Sequence, residues 1–207
     1  MSVLIEGHPV PHFSKAPPRT SSMPRTPSTM IDLGTACPDF RLADANGQEH
    51  GLSDAGDAPA VLVAFICNHC PFVKHLADRL SELAGEFGEQ GLKTFAINSN
   101  DYHAHPEDSP AMMIEEAKLR GYDFPYLVDG DQEVARAFGA ACTPDFFLYD
   151  RSRRLVYRGQ FDETRPGEGE PHGADLECAI EAVLEGRPVP AEQHPSIGCN
   201  IKWKPEA

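Results

Sequence analysis

The residues from Ala60 to Ile66 form an unbroken apolar run that ends directly on Cys67-Asn68-His69-Cys70. Beyond the pair, Phe72, Val73, Leu76, Leu80, Leu83 and Phe87 recur at three- and four-residue steps. An apolar run without alternation is the pattern of a parallel strand covered on both faces. The stepped residues mark an amphipathic helix, with Pro71 suited to its first turn and the Gly91 region closing it. The two cysteines therefore stand at a strand-to-helix junction, and the fold must be an α/β arrangement built around it.

That placement has chemical meaning. The unsatisfied N–H groups and positive dipole end of a helix favour a thiolate, so Cys67, expected at the helix start, is the acidic thiol on this reading. His69 adds a potential cation that stabilises the reduced form and raises the reduction potential. Attack by Cys67 gives a mixed disulfide that Cys70 resolves. Two alternatives stand beside this one. A zinc half-site would need a second C-x2-C pair to complete four ligands, and the sequence has none, so no metal is expected. The other alternative is a pair of buried, inert thiols.

The rest of the chain fits a mixed central sheet flanked by helices. Cys37 to Leu42 and a short strand near Glu49, joined through Asn46-Gly47, read as an N-terminal hairpin. A strand over 92–97, a helix over 110–120 and a short helix over 131–138 follow. Thr143-Pro144 leads into strands over 146–149 and 155–158, and a helix over 174–185 stops at Gly186. Residues 1–29 carry six prolines among Ser, Thr and Arg with no apolar period, and are expected to be a flexible arm ahead of one redox domain over 30–204. Met23 is an alternative start.

Composition excludes several classes of function. A net charge of -14 leaves no basic surface for nucleic acid. No apolar run approaches the roughly 20 residues of a membrane-spanning helix. The first residues lack the basic start and apolar stretch of a secretory signal, so a cytoplasmic location is expected. In a reducing compartment six cysteines do not staple a chain of 207 residues, and a close pair is more often catalytic or metal-binding.

Five segments together carry a resemblance: Cys67-Asn-His-Cys-Pro-Phe-Val-Lys74, Asn100-Asp101 with Pro106-Glu-Asp-Ser-Pro110, Cys142-Thr-Pro-Asp-Phe-Phe147, Arg158-Gly-Gln-Phe-Asp162 and Gly198-Cys-Asn-Ile-Lys-Trp-Lys204. Over roughly residues 29–204 the chain resembles the peroxiredoxin-like branch of the thioredoxin superfamily, grouped with the alkyl hydroperoxide reductase and thiol-specific antioxidant proteins. The resemblance implies a thioredoxin-like fold, a cis peptide at Thr143-Pro144 beside the cysteine pair, and Cys142 near it. It departs from thioredoxins in having Ile66 where they carry Trp and Val61 where they carry a buried Asp. Set against the peroxiredoxin pattern Pro-x-x-x-Thr-x-x-Cys, with Cys70 as the last residue, Val63 and Cys67 replace the Pro and Thr.

Two mechanisms compete on these residues. In dithiol exchange Cys67 attacks a disulfide, Cys70 resolves, Asn68 and His69 tune the pair, and Thr143 and Pro144 shape a groove. In the peroxidase reading Cys70 attacks the peroxide and Cys67 resolves the sulfenic acid, with Arg120 or Arg158 as a conceivable activator. A non-catalytic binding module is the third case. The expected partners are a protein or small-molecule disulfide or a peroxide, and a reducing partner such as a thioredoxin or glutathione system. No cofactor beyond the redox-active disulfide is expected. Cys199 is a possible further redox thiol, while Cys37 and Cys178 are assigned no function. His103 and His105 read as a solvated loop.

Overall fold

The computed structural model describes residues 25–205. Its central sheet has five strands in the order β6-β5-β4-β8-β9, formed by β4 (Ala60–Phe65), β5 (Leu92–Asn98), β6 (Tyr126–Val128), β8 (Asp145–Asp150) and β9 (Leu155–Gly159). β4, β5 and β6 run parallel, while β8 and β9 are antiparallel to their neighbours. The remaining strands are β1 (Arg25–Pro27), β2 (Arg41–Ala43), β3 (Glu49–Gly51), β7 (Cys142–Thr143) and β10 (Ile197–Asn200). The helices are α1 (Pro71–Gly88), α2 (Pro110–Arg120), α3 (Glu133–Phe138) and α4 (Ala174–Leu184).

β4 is buried along its whole length because each of its faces meets a separate core. Leu62, Ala64 and Ile66 pack with Leu76, Leu80 and Leu83 of α1 and Leu176 and Ile180 of α4. Val61, Val63 and Phe65 face the other way, with Phe40, Phe95, Phe138 and Phe147. Phe138 meets Phe40, Phe65 and Phe147 edge to face, a geometry that favours aromatic clusters beyond their buried area. The result is a sheet packed on both sides, which fixes the end of β4 and the start of α1.

Two expectations are corrected. The N-terminal arm does not extend to residue 29: Arg25–Pro27 pairs antiparallel with Ile197–Cys199, where β10 supplies ladder partners for its backbone groups. Residues 1–24 of the arm lie outside the described residues. The helix after the cysteines begins at Pro71 with Cys70 as its N-cap, so Cys67 stands a turn before it rather than at its start. Pro71 has no N–H to give and is pre-set for the first helical position, which explains the boundary. The short strand β6, which extends the parallel part of the sheet, and the strand β10 went unread because neither has a long apolar run. The N-terminal hairpin forms as β2 and β3, starting later than Cys37.

β10 lies between β1 and β7 in a second, three-stranded sheet, with Cys199 opposite Thr143. The approach is close: a Cβ on Gly198 would stand 2.1 Å from the Thr143 carbonyl oxygen and 3.1 Å from the Pro144 nitrogen. The Thr143–Pro144 peptide is cis. Gly198→Ala is expected to force β10 away from this peptide and to destabilise the protein by roughly 1–3 kcal/mol, as overpacking does. Gly88→Ala, at the open end of α1, serves as the control that leaves stability unchanged or slightly raised. Denaturant unfolding midpoints check this, and equal midpoints for Gly198→Ala and wild type would contradict it.

Candidate active site

The end of β4, the bend before α1, β7 and β10 converge on a buried group of sulfurs. Cys67 is 1% exposed, Cys70 is 0% and Cys199 is 5%. All six cysteines are free thiols. Thr143 touches both members of the pair: its hydroxyl lies 3.2 Å from Cys67 Sγ and its carbonyl oxygen 3.1 Å from Cys70 Sγ. Cys142, also buried, donates toward the Pro144 carbonyl at 3.5 Å and is held protonated by burial and by the neighbouring Asp145.

The surroundings of the pair favour a thiolate at Cys70. The Cys199 and Cys67 thiols and the backbone N–H groups of Val73 and Cys199 lie around its sulfur and favour its thiolate. Against them stand burial and the Thr143 carbonyl, which accepts a hydrogen bond only from the protonated thiol. The balance lowers the Cys70 pKa from the ordinary thiol value. Cys67 moves the opposite way, because it donates to Cys70, is desolvated and faces the Asp108 carboxylate. The sequence expectation places the thiolate on Cys67, whereas these surroundings favour it on Cys70. The helix starts one turn later than the sequence suggested, which puts Cys70 rather than Cys67 at its N-cap, beside the positive end of the helix.

Asn68 and His69 are fixed by Asp108, a fully buried carboxylate just before α2. Asp108 accepts from the Asn68 N–H at 2.8 Å, from Asn100 Nδ2 at 2.7 Å and from His69 Nδ1 at 2.6 Å. The Asn68 side chain bridges further, donating to the Glu107 carbonyl and accepting from the Tyr126 hydroxyl at 3.0 Å. His69 also stacks on His105, with ring centroids 5.4 Å apart. Cys67, His69 and Asp108 offer atoms within 4.8 Å of one another, as metal ligands would. Both Asp108 oxygens, however, already accept hydrogen bonds from these groups, so the arrangement fits a support for the bend better than an ion site.

Sequence reasoning missed Asp108, Asn100 and Tyr126. Asp108 and Asn100 lie in the segments that carried the resemblance, and the acid pair Glu107-Asp108 between Pro106 and Pro110 was the available signal. His105, read as part of a solvated loop, reaches the site through His69. Arg120 and Arg158 do not reach it: Arg120 pairs with Asp78 and Glu116, and Arg158 donates to the Ile31 carbonyl and Gln193. Cys178 is exposed on α4. Cys37 lies by Tyr149 and Arg153, where burial pushes its thiol up to about 12.

The His69–Asp108 pair has a defined pH signature. The hydrogen bond to Asp108 raises the His69 pKa; burial works against the ionised Asp108, but its bonds to His69 and Asn100 hold its pKa below the ordinary value. A raised histidine pKa contributes stability that is lost as pH rises through it. A lowered carboxylate pKa contributes stability that is lost as pH falls through it. Asp108→Asn is therefore expected to cost about 3 kcal/mol, most strongly at mildly acidic pH where both partners are charged, with a smaller deficit on either side. Unfolding free energies measured across pH check this, and a deficit independent of pH would contradict it.

A profile of the AhpC/TSA family matches residues 33–158. The thiol-disulfide oxidoreductase ResA of Geobacillus thermodenitrificans is 28% identical over 63% of this chain and 70% of its own length. A putative peroxiredoxin of Mycobacterium tuberculosis is 26% identical over 66% of this chain and 80% of its own. The crystal structure of a hypothetical protein from Sinorhizobium meliloti superposes with a TM-score of 0.85 at 56% identity, covering 86% of this chain and 98% of that one. More distant structures, among them a thioredoxin domain, share the thioredoxin-like fold alone. With well over half of its length inside the family profile, the chain belongs to the AhpC/TSA family.

Proposed function

We propose that the protein is a thiol-disulfide oxidoreductase with an antioxidant role, cycling Cys67 and Cys70 between dithiol and disulfide in a cytoplasmic setting. The observation that carries this reading is the burial of Cys67 and Cys70 together against Thr143, whose hydroxyl lies 3.2 Å from Cys67 Sγ and whose carbonyl accepts from Cys70 Sγ at 3.1 Å, beside the cis Thr143–Pro144 peptide. When the pair is oxidised, a donor thiolate attacks Cys67 Sγ, the bond between the two sulfurs breaks, and Cys70 departs as the thiolate that the helix N-terminus holds. The thiol of lower pKa is the better leaving group. In the opposite direction a substrate mixed disulfide sits on Cys67, and the Cys70 thiolate resolves it. Because the donors stabilise the reduced form, the pair is an oxidising one.

A cleft beside Pro144, lined by Phe72, His75, Phe161, Thr164 and Ile197 among others, is the proposed seat for the partner's chain. The partners are disulfides, with a thioredoxin or glutathione system as electron source and no cofactor besides the disulfide. A peroxidase reading is favoured by one observation: the fully buried Cys70 sulfur, immediately before Pro71, is reached more easily by a small oxidant than by a polypeptide. There the Cys70 thiolate attacks a peroxide oxygen, alkoxide leaves, and the Cys67 thiol condenses with the sulfenic acid to release water. Against it, neither Arg120 nor Arg158 stands near the thiolate to polarise a peroxide.

Rapid mixing of the reduced protein with a model disulfide and with hydrogen peroxide separates the two readings. Faster reaction with the disulfide is expected, and saturating turnover of peroxide with slow disulfide exchange would overturn the first in favour of the second. Cys70→Ser is expected to trap a mixed disulfide on Cys67, since removing the charge at Cys70 removes the largest influence raising the Cys67 pKa and leaves no resolving thiol. Cys67→Ser is expected to form no such adduct with a protein disulfide. Mass spectrometry of the trapped species reads both.

A further inference from the structure

We propose that Cys199 is a third redox thiol of this site, which exchanges with the Cys67–Cys70 disulfide to form a bond between Cys70 and Cys199. The inference rests on the reading of Cys67 and Cys70 as a redox pair and extends it to a residue on a different element. Cys199 is held in the middle strand of the three-stranded sheet, opposite Arg25 on one side and Thr143 on the other. Gly198, which has no Cβ, lets that strand lie against the Thr143–Pro144 peptide. This places Cys199 opposite Thr143, whose carbonyl accepts from Cys70 Sγ at 3.1 Å, in the same buried cluster as Cys67 and Cys70.

Other cysteines do not share this position. The thiol of Cys142 is turned to the Pro144 carbonyl, Cys178 is exposed on α4, and Cys37 lies by Tyr149 on the opposite core. Cys199 is also the most exposed of the three clustered cysteines, so an oxidising equivalent moved to it lies closer to a reducing partner.

The exchange needs no outside oxidant. The Cys199 thiolate attacks Cys70 Sγ; a new bond forms between Cys70 and Cys199, the old one breaks, and Cys67 leaves and takes up the proton that Cys199 gave. The dithiol state opposes this, because the hydrogen bond to Cys70 and burial keep Cys199 protonated. Once Cys70 is in a disulfide its charge is gone, the main influence raising Cys199 is removed, and the nearby Lys202 ammonium, which favours the thiolate, remains.

The test uses full-length Cys67→Ser and Cys67→Ala proteins, treated with diamide, a small thiol oxidant, and mapped by proteolysis and mass spectrometry. In both, Cys70 and Cys199 are expected to be joined as the main product, and a further Cys199→Ser change is expected to abolish that product. Any other fate of Cys70 in the two single variants, including no oxidation, overturns the proposal. Wild-type protein oxidised alongside reads the underlying pair separately. Absence of a 67–70 disulfide there would refute the redox pair, whereas its presence without a 70–199 product in the variants would refute only the third thiol.

Discussion

The site depends on the contact of Thr143 with the two sulfurs of the pair. One residue presents its hydroxyl to Cys67 and its carbonyl to Cys70, and it stands in register with Cys199 on the neighbouring strand. Thr143 belongs to β7, a strand of only two residues, so its position is set from outside: by the central sheet through β8, which follows directly, and by β10 lying against it. Moving β10 by even a fraction of an ångström would loosen all three sulfurs together, because Gly198 leaves no space between that strand and the peptide.

The division of charge comes from other groups, because the Thr143 carbonyl accepts from a protonated Cys70 and the Thr143 hydroxyl favours a thiolate at Cys67. A thiol at a helix N-cap receives N–H groups that have no partner within the helix, and Pro71 places Cys70, not Cys67, at that position. Asp108 strengthens the division, since a buried carboxylate near Cys67 disfavours a second negative charge there. The same carboxylate orders Asn68 and His69, so the residues between the cysteines are held rigidly by a group that is distant in sequence. Structure and charge are coupled through a single buried acid.

Much of this was legible in the sequence. The apolar run from Ala60 to Ile66 and the stepped residues from Phe72 to Phe87 identified β4 and α1 because long, strongly patterned segments have one physical solution. The helix over 110–120 and the hairpin of β8 and β9 were recoverable for the same reason. Where the reading failed, local pattern was not the deciding force. Cys70 rather than Cys67 became the N-cap because of the conformational preference of one proline. Arg25–Pro27 became a strand because β10 offered it unpaired backbone groups, a contact between residues far apart in the chain. Asp108 acquired its role through burial, which no local period reveals for a polar residue.

The central claim is that the low-pKa thiol is Cys70. The most direct measurement is a titration of thiolate ultraviolet absorbance in the wild type and in Cys67→Ser and Cys70→Ser proteins. The account predicts that one thiolate persists to acidic pH in the wild type and in Cys67→Ser, and is absent from Cys70→Ser until alkaline pH. Persistence in Cys70→Ser together with loss in Cys67→Ser would place the charge on Cys67 and contradict it.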